Sequence, residues 1–260
     1  MLATWIGWAV AKGDPLPIWN YEIIMIILSI GCFVGASNIL NDIKDNLTDR
    51  VSHPLRPLSE GRLSGGITIL YMSSLFVISF SLSFVASIMI SSTIPILIFL
   101  IAILLQLSYE AYLKNKGFFG NLVVSVNVGL SFLYGASVHS LKYILLPIFI
   151  MSCLANLSRE IVKDVQDMKG DRIFRNTLPN RIGEKCSLSI SSLLIVIAII
   201  TSVYPMIFTN ASFYYIVPVI AADIFFIYSI IIAFNNASKS QFTIKIGMVF
   251  AIFSFIGLAI

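Results

Sequence analysis

Two stretches of this chain gather oxygen-bearing side chains at spacings that can hold a cation. In "NILNDIKDNLTDRVSHPLRPLSEGR", residues Asn38 to Arg62, an α-helix at 100° per residue places Asn38, Asn41, Asp42, Asp45 and Asp49 within one arc of about 100°, with Lys44 outside it. Like charges four residues apart repel, so an acidic helix end gains nothing from this arrangement unless a cation binds there. Carboxylate and amide oxygens are hard ligands, suited to Mg²⁺. A Ca²⁺ loop of the EF-hand kind does not match, because the turn glycine and the closing glutamate are missing.

The second stretch is "NLSREIVKDVQDMKGDRIFRNTLPNRIG", starting at Asn156. Glu160, Asp164, Asp167, Asp171 and Asn156 share a narrow helical face, with Lys163 at its margin. Gly170 weakens the helix just before Asp171. Each cluster alone also reads as a solvated helix end; two of them facing one way point to a ligand. A diphosphate is such a ligand, since Mg²⁺ binds through one or two carboxylates and bridges them to substrate phosphates. Basic residues follow each cluster: Arg50, Arg56 and Arg62 after the first, Lys163, Arg172, Arg175 and Arg181 with the second. Arginine suits bidentate phosphate contacts, although any one of these residues also fits an interfacial cation.

The elements that carry these clusters are read from hydropathy. Of the 260 residues, 58% are hydrophobic and 12% charged, against about 25% charged in a soluble domain. Continuous apolar runs predict an all-α polytopic membrane protein rather than a β-barrel, with spans at 1–12 (short), 21–41, 66–90, 93–113, 119–138, 143–163, 187–206, 212–234 and 243–260. All belong to one domain, 1–260, whose two long charged loops are 42–65 and 164–186. Of the seventeen Lys and Arg, Lys12 and Lys142 fall on one side of this layout and the rest on the other. The positive-inside rule makes that richer side, with both motif loops, cytoplasmic. Cys32, Cys153 and Cys186 have no metal-ligand spacing and read as small buried apolar residues. Asp223, inside an apolar run, reads as functional by default in a membrane or as a hydrogen-bonded structural group. No nucleic-acid or protein partner is expected; membrane lipids are.

At these residues the sequence resembles the UbiA-type superfamily of intramembrane prenyltransferases. "NDIKDNLTD" (Asn41 to Asp49) fits its NDxxDxxxD motif, "DMKGD" (Asp167 to Asp171) its DxxxD motif, and "RVSHPLRPLSEGRLS" its basic loop. "YEAYLKNKGFFGN" (Tyr109 to Asn121) resembles the loop after its fourth helix. Within the superfamily, "REIVKDVQDMKGDR" with "NTLPNRIG" is most similar to the archaeal branch that makes digeranylgeranylglyceryl phosphate.

The resemblance implies about nine transmembrane helices around a central cavity, the first truncated here, with both motifs capping it. It implies two Mg²⁺ ions, a polyprenyl diphosphate donor and a lipid-phosphate acceptor. Asn41, Asp42, Asp45 and Asp49 would hold one ion; Asp164, Asp167 and Asp171 the other. Arg56, Arg62, Lys114, Lys163, Arg172 and Arg181 would bind substrate phosphates, and the Tyr109 ring would face the allylic cation. Runs 76–84 and 127–137 would wall the cavity. The expected reaction is Mg²⁺-dependent transfer of geranylgeranyl from its diphosphate to the hydroxyl of geranylgeranylglyceryl phosphate, in ether-lipid synthesis. Prenylation of an aromatic acceptor in quinone synthesis is the alternative enzyme reading. A secondary transporter is the rival from another class, and would place its acids near the bilayer midplane.

Overall fold

Lipid offers no hydrogen bonds to a backbone, so a spanning chain must satisfy its N–H and C=O groups within helices or a closed barrel. This chain uses helices. The computed structural model describes residues 1–16, 20–52, 57, 58, 60–171, 176–209 and 211–260, with the side chains of 47–52 and 169–171 outside the description. The helices are α1 (Leu2–Lys12), α2 (Tyr21–Ser52), α3 (Gly65–Ile90), α4 (Ile94–Ala111), α5 (Phe118–Ala136), α6 (Leu145–Asp171), α7 (Leu178–Ile182), α8 (Glu184–Phe208), α9 (Phe213–Ala233) and α10 (Ala237–Ile256). A 3₁₀ turn, Leu113–Asn115, joins α4 to α5. Eight of these helices, all but α1 and α7, are long and apolar enough to cross a membrane.

Local sequence sets several boundaries. Ser64 caps α3 by accepting the Ile67 N–H at 3.3 Å, and Asn236 caps α10 through the Lys239 N–H at 2.8 Å, as N-cap residues do. Beyond the end of α1 the Asp14 carboxylate accepts the Leu16 N–H at 2.8 Å, which, with Lys12 nearby, holds it below the usual carboxylate range.

The two segments expected as loops from 42 and from 164 instead begin as helix: α2 runs on to Ser52 and α6 to Asp171. Falling hydropathy marks where lipid ends, not where i→i−4 bonding ends, so each motif rides on a helix that projects beyond its span. The short helix α7 inside 164–186 was not expected. Cys186 is exposed near the start of α8, not buried, because the first turn of that helix lies at the surface.

Helices pack in chain order, α2 on α3, α3 on α4, α4 on α5, α5 on α6, α6 on α8, α8 on α9 and α9 on α10; α10 returns to α6. α6 is the most enclosed, with 61% of its most apolar window buried. Serines hydrogen-bond across the seams, where lipid cannot compete. Ser29 Oγ donates to Ser79 O at 2.8 Å and receives the Tyr134 hydroxyl at 2.9 Å, tying α2, α3 and α5. Ser158 and Ser191 join α6 to α8 at 2.7 Å, and the Ser240 hydroxyl reaches Ser229 O at 2.9 Å between α10 and α9. Asp223 belongs to this set: Ser202 Oγ donates to it at 2.9 Å across the α8–α9 seam.

α1 lies along α5 and touches α2, α6 and α10. A Cβ on Gly7 would collide with the Phe132 backbone, and one on Gly135 with the Thr4 carbonyl, so the two backbones cross in contact. Both α5 residues lie in its later turns, and Lys142 Nζ reaches Val10 O at 3.4 Å. α1 therefore fills the half of the bundle away from the motifs.

Candidate active site

The first motif sits on the projecting end of α2. Asn41 and Asp45, one turn apart, face the 3₁₀ turn after α4, where Lys114 points back at them. Lys114 Nζ lies 2.6 Å from Asn41 Oδ1, 2.7 Å from Asp45 Oδ1 and 3.3 Å from Glu110 Oε2. The charged members are largely enclosed: the Lys114 side chain is 10% exposed, Asp45 12% and Glu110 2%. At such low exposure the attraction is much stronger than on a surface. The Tyr109 ring centroid is 5.9 Å from the same nitrogen, within cation–π range.

The second motif ends α6. Asn121, in the first turn of α5, donates from Nδ2 to Asp164 Oδ2 at 2.7 Å. Deeper on α6, Asn156 Nδ2 reaches Ser125 Oγ at 3.2 Å, and its carboxamide oxygen accepts from Arg159 at 3.2 Å. Arg159 also pairs with Glu160. Asp167 is half-buried one turn beyond Lys163.

One short segment connects the two motifs. Residues 112–121 supply Lys114 to the first and Asn121 to the second. Between them, Asn115 O accepts from Arg181 Nη2 at 3.1 Å. Gly117 has φ 58° and presses against the start of α7: a Cβ there would lie 3.1 Å from Leu178 N. A positive φ and that clearance both demand glycine.

Of the expected residues, the structure thus brings Asn41, Asp45, Lys114 and Tyr109 together, and ties Asp164 to the same connecting segment. Arg181 reaches it through Asn115. Lys163 is 48% exposed and pairs with Glu160 at 3.8 Å. Arg62 pairs with Glu60 at 2.9 Å at the surface. The Asp49 and Asp171 side chains, and all of Arg56 and Arg172, lie outside the described residues. Sequence reasoning assigned no role to Glu110 or Asn121. The available signal was that Glu110 is the only charged residue of α4 and stands four residues before Lys114.

Whether the site suits a divalent ion can be read from its donors. Among the described residues no three His, Cys, Asp or Glu side chains converge as a metal cage. Yet amide and carboxylate oxygens of Asn41, Asp45 and Glu110 already surround one positive nitrogen. Such hard oxygens match Mg²⁺, and the ammonium stands in for a cation among them. The first motif therefore fits the ion in its donor chemistry.

Beneath Asn41 a cavity of about 350 Å³ opens between α2, α4 and α5. Ile30, Phe33, Ile98, Phe99 and Leu130 give it an apolar wall, and Ser37, Asn38, Gln106 and Asn127 line it too. The run from Asn127 supplies this wall as expected. The run from Phe76 does not: Phe76, Val77 and Phe80 line a separate groove with Ile103 and Leu107. Val77 and Phe80 are exposed, because α3 packs on α2 and α4 and turns this face outward.

The chain is similar to known proteins in sequence and in fold. A digeranylgeranylglyceryl phosphate synthase of Methanosphaera stadtmanae is 32% identical over 243 residues, covering 91% of this chain and 88% of its own length. A solved structure of a digeranylgeranylglyceryl phosphate synthase superposes with a TM-score of 0.81 at 27% identity, over 99% of this chain and 91% of that one. A UbiA homolog from Archaeoglobus fulgidus, solved with GPP and Mg²⁺, has a TM-score of 0.68 at 19% identity, over 100% of this chain and 96% of that one. Residues 1–256 match the UbiA prenyltransferase family as a whole. With eight helices able to span a bilayer and its acid-bearing helix ends joined through one connecting segment, this integral membrane enzyme belongs to the UbiA prenyltransferase family.

Proposed function

We propose that this enzyme transfers a geranylgeranyl group from geranylgeranyl diphosphate to the free hydroxyl of geranylgeranylglyceryl phosphate, with its motif end facing the cytoplasm. The observation that carries the reading is the Lys114 ammonium held between Asn41 and Asp45 above a cavity whose deeper wall is apolar. Similarity to synthases of that product supports the choice of acceptor.

Asn41, Asp42, Asp45 and Asp49 would hold one Mg²⁺ and Asp164, Asp167 and Asp171 a second. The ions supply charge stabilisation for the diphosphate as its allylic C–O bond breaks. Lys114, a compact point charge, contacts diphosphate oxygens, and Glu110 keeps it aimed. Asn121 fixes the Asp164 carboxylate. The Tyr109 ring faces positive charge at this end of the cavity. Below, Phe33 and Phe99 shelter the allylic cation from water, so the acceptor hydroxyl captures it. Both substrates carry long isoprenoid chains, and each buried CH₂ is worth about 0.8 kcal/mol; the enzyme works where those chains already reside.

Purified protein with Mg²⁺ and geranylgeranyl diphosphate should form an ether product with geranylgeranylglyceryl phosphate and none with 4-hydroxybenzoate, read by thin-layer separation. Asp45→Ala and Asp167→Ala should each abolish turnover. Product from the aromatic acceptor alone would overturn the lipid assignment, and full activity in either variant the assigned roles.

A further inference from the structure

The cavity wall just below the first motif carries polar groups that the protein itself does not use. Ser37 Oγ and Asn127 Oδ1 are buried and have no hydrogen-bond partner among the described residues. Ser37 is only 8% exposed. The two residues line the same cavity from different helices, α2 and α5, and Asn38 and Gln106 make the rest of that level polar. With a rise of about 1.5 Å per residue, Ser37 lies about 6 Å below Asn41 and Asn127 about 9 Å below Asn121. Deeper, the wall becomes apolar, with Phe33 and Phe99.

Buried polar atoms are almost always paired, and each exception needs an explanation. Leaving one unpaired costs free energy that a purely structural residue would avoid. Two such atoms from two helices, beside one cavity at nearly one depth, have a common explanation if a ligand completes them. The ligand must bring a donor to the Asn127 carbonyl oxygen, which only accepts, and an acceptor for the Ser37 hydroxyl when that group donates. An alcohol hydroxyl has that character; an isoprenoid chain and a diphosphate do not.

We propose that Ser37 and Asn127 form the subsite that orients the hydroxyl of the acceptor lipid, an inference that rests on the function proposed above. A glycerol hydroxyl lies within a few bonds of its phosphate. With the phosphate at the level of the motif cations, the hydroxyl reaches this polar collar and the acceptor's chain enters the apolar region. The step then balances. The allylic C–O bond breaks with its electron pair leaving on diphosphate, the acceptor oxygen forms the new C–O bond, and its proton passes to the released diphosphate. Ser37 and Asn127 take no proton; they hold the oxygen within reach of the allylic carbon.

The test measures kinetics with acceptor varied at saturating donor, then the reverse, in Asn127→Leu and Ser37→Ala. Each variant should lose about tenfold or more in kcat/KM for the acceptor, the scale of a lost buried hydrogen bond, while the donor KM stays within about twofold. The thermal midpoint of the substrate-free protein should hold or rise, because an unpartnered polar group has been removed. Ser37→Ala, the milder change, carries the same expectation should Asn127→Leu fail to fold. Unchanged acceptor kinetics in a folded variant would overturn the subsite alone. A fall in thermal midpoint with equal losses for both substrates would do the same, making these residues structural. No product from the wild-type protein with geranylgeranylglyceryl phosphate would overturn the underlying function and the subsite with it.

Discussion

Lys114 neutralises oxygens from two helices at once. Its ammonium sits 2.7 Å from Asp45 and 3.3 Å from Glu110, and the Glu110 side chain is 2% exposed. Removing one partner of a buried pair is costly because the other charge stays desolvated. Lys114→Met should therefore destabilise the protein by about 3 kcal/mol, seen as a lower thermal midpoint. Adding Glu110→Gln should restore much of that loss, as a double-mutant cycle would reveal, yet the double variant should remain without prenyl-transfer activity. Asn41 and Asp45 were legible in the sequence because they stand four apart on one helix and face one way. Glu110 was not. A lone acid in the apolar run of α4 has no periodic partner, and its meaning emerges only when the 3₁₀ turn folds Lys114 back over it. Asn121 was hidden for a similar reason: its contact with Asp164 joins residues 43 positions apart.

At the α1–α5 crossing the two backbones meet directly. Gly135→Ala would set a methyl group against the Thr4 carbonyl, a clash of backbone with backbone that a side-chain rotation cannot relieve. Overpacking of this kind costs about 1–3 kcal/mol or more. The variant should show a depressed thermal midpoint in detergent, whereas Gly65→Ala, with open space around its Cβ position, should not. Hydropathy located most spans to within a few residues, because the apolar stretches are continuous and end at charges; the last, expected at 243–260, begins six residues earlier, at Ala237. It misplaced the motif segments, since an amphiphilic helix end and a loop look alike once lipid is left behind. The expected place of 76–84 on the cavity could not be checked by hydropathy, because lipid-facing and cavity-facing walls are equally apolar; only the packing of α3 on α2 and α4 distinguishes them.

Taken as one molecule, the bundle has a lipid-facing exterior of exposed residues such as Leu70, Ile88, Ile200 and Ile231 and seams closed by serine hydrogen bonds. None of these contacts depends on a metal, and the first motif has an internal positive charge to balance its acids. Chelation by EDTA should therefore abolish prenyl transfer while leaving the helical circular-dichroism signal and the thermal midpoint of the donor-free protein unchanged. A large drop in that midpoint would show that the ions are structural. The order of helices around the cavity was not legible from hydropathy, which gives each span no address among its neighbours; the family resemblance supplied only a bundle around a central cavity capped by both motifs.

The short stretch from Lys114 to Asn121 works as a yoke with one hand on each half of the enzyme. A substitution at Gly117, which touches neither motif, would tilt both grips together. Among the described residues the two halves thus share this point of adjustment, so a change made for one would be felt by its counterpart.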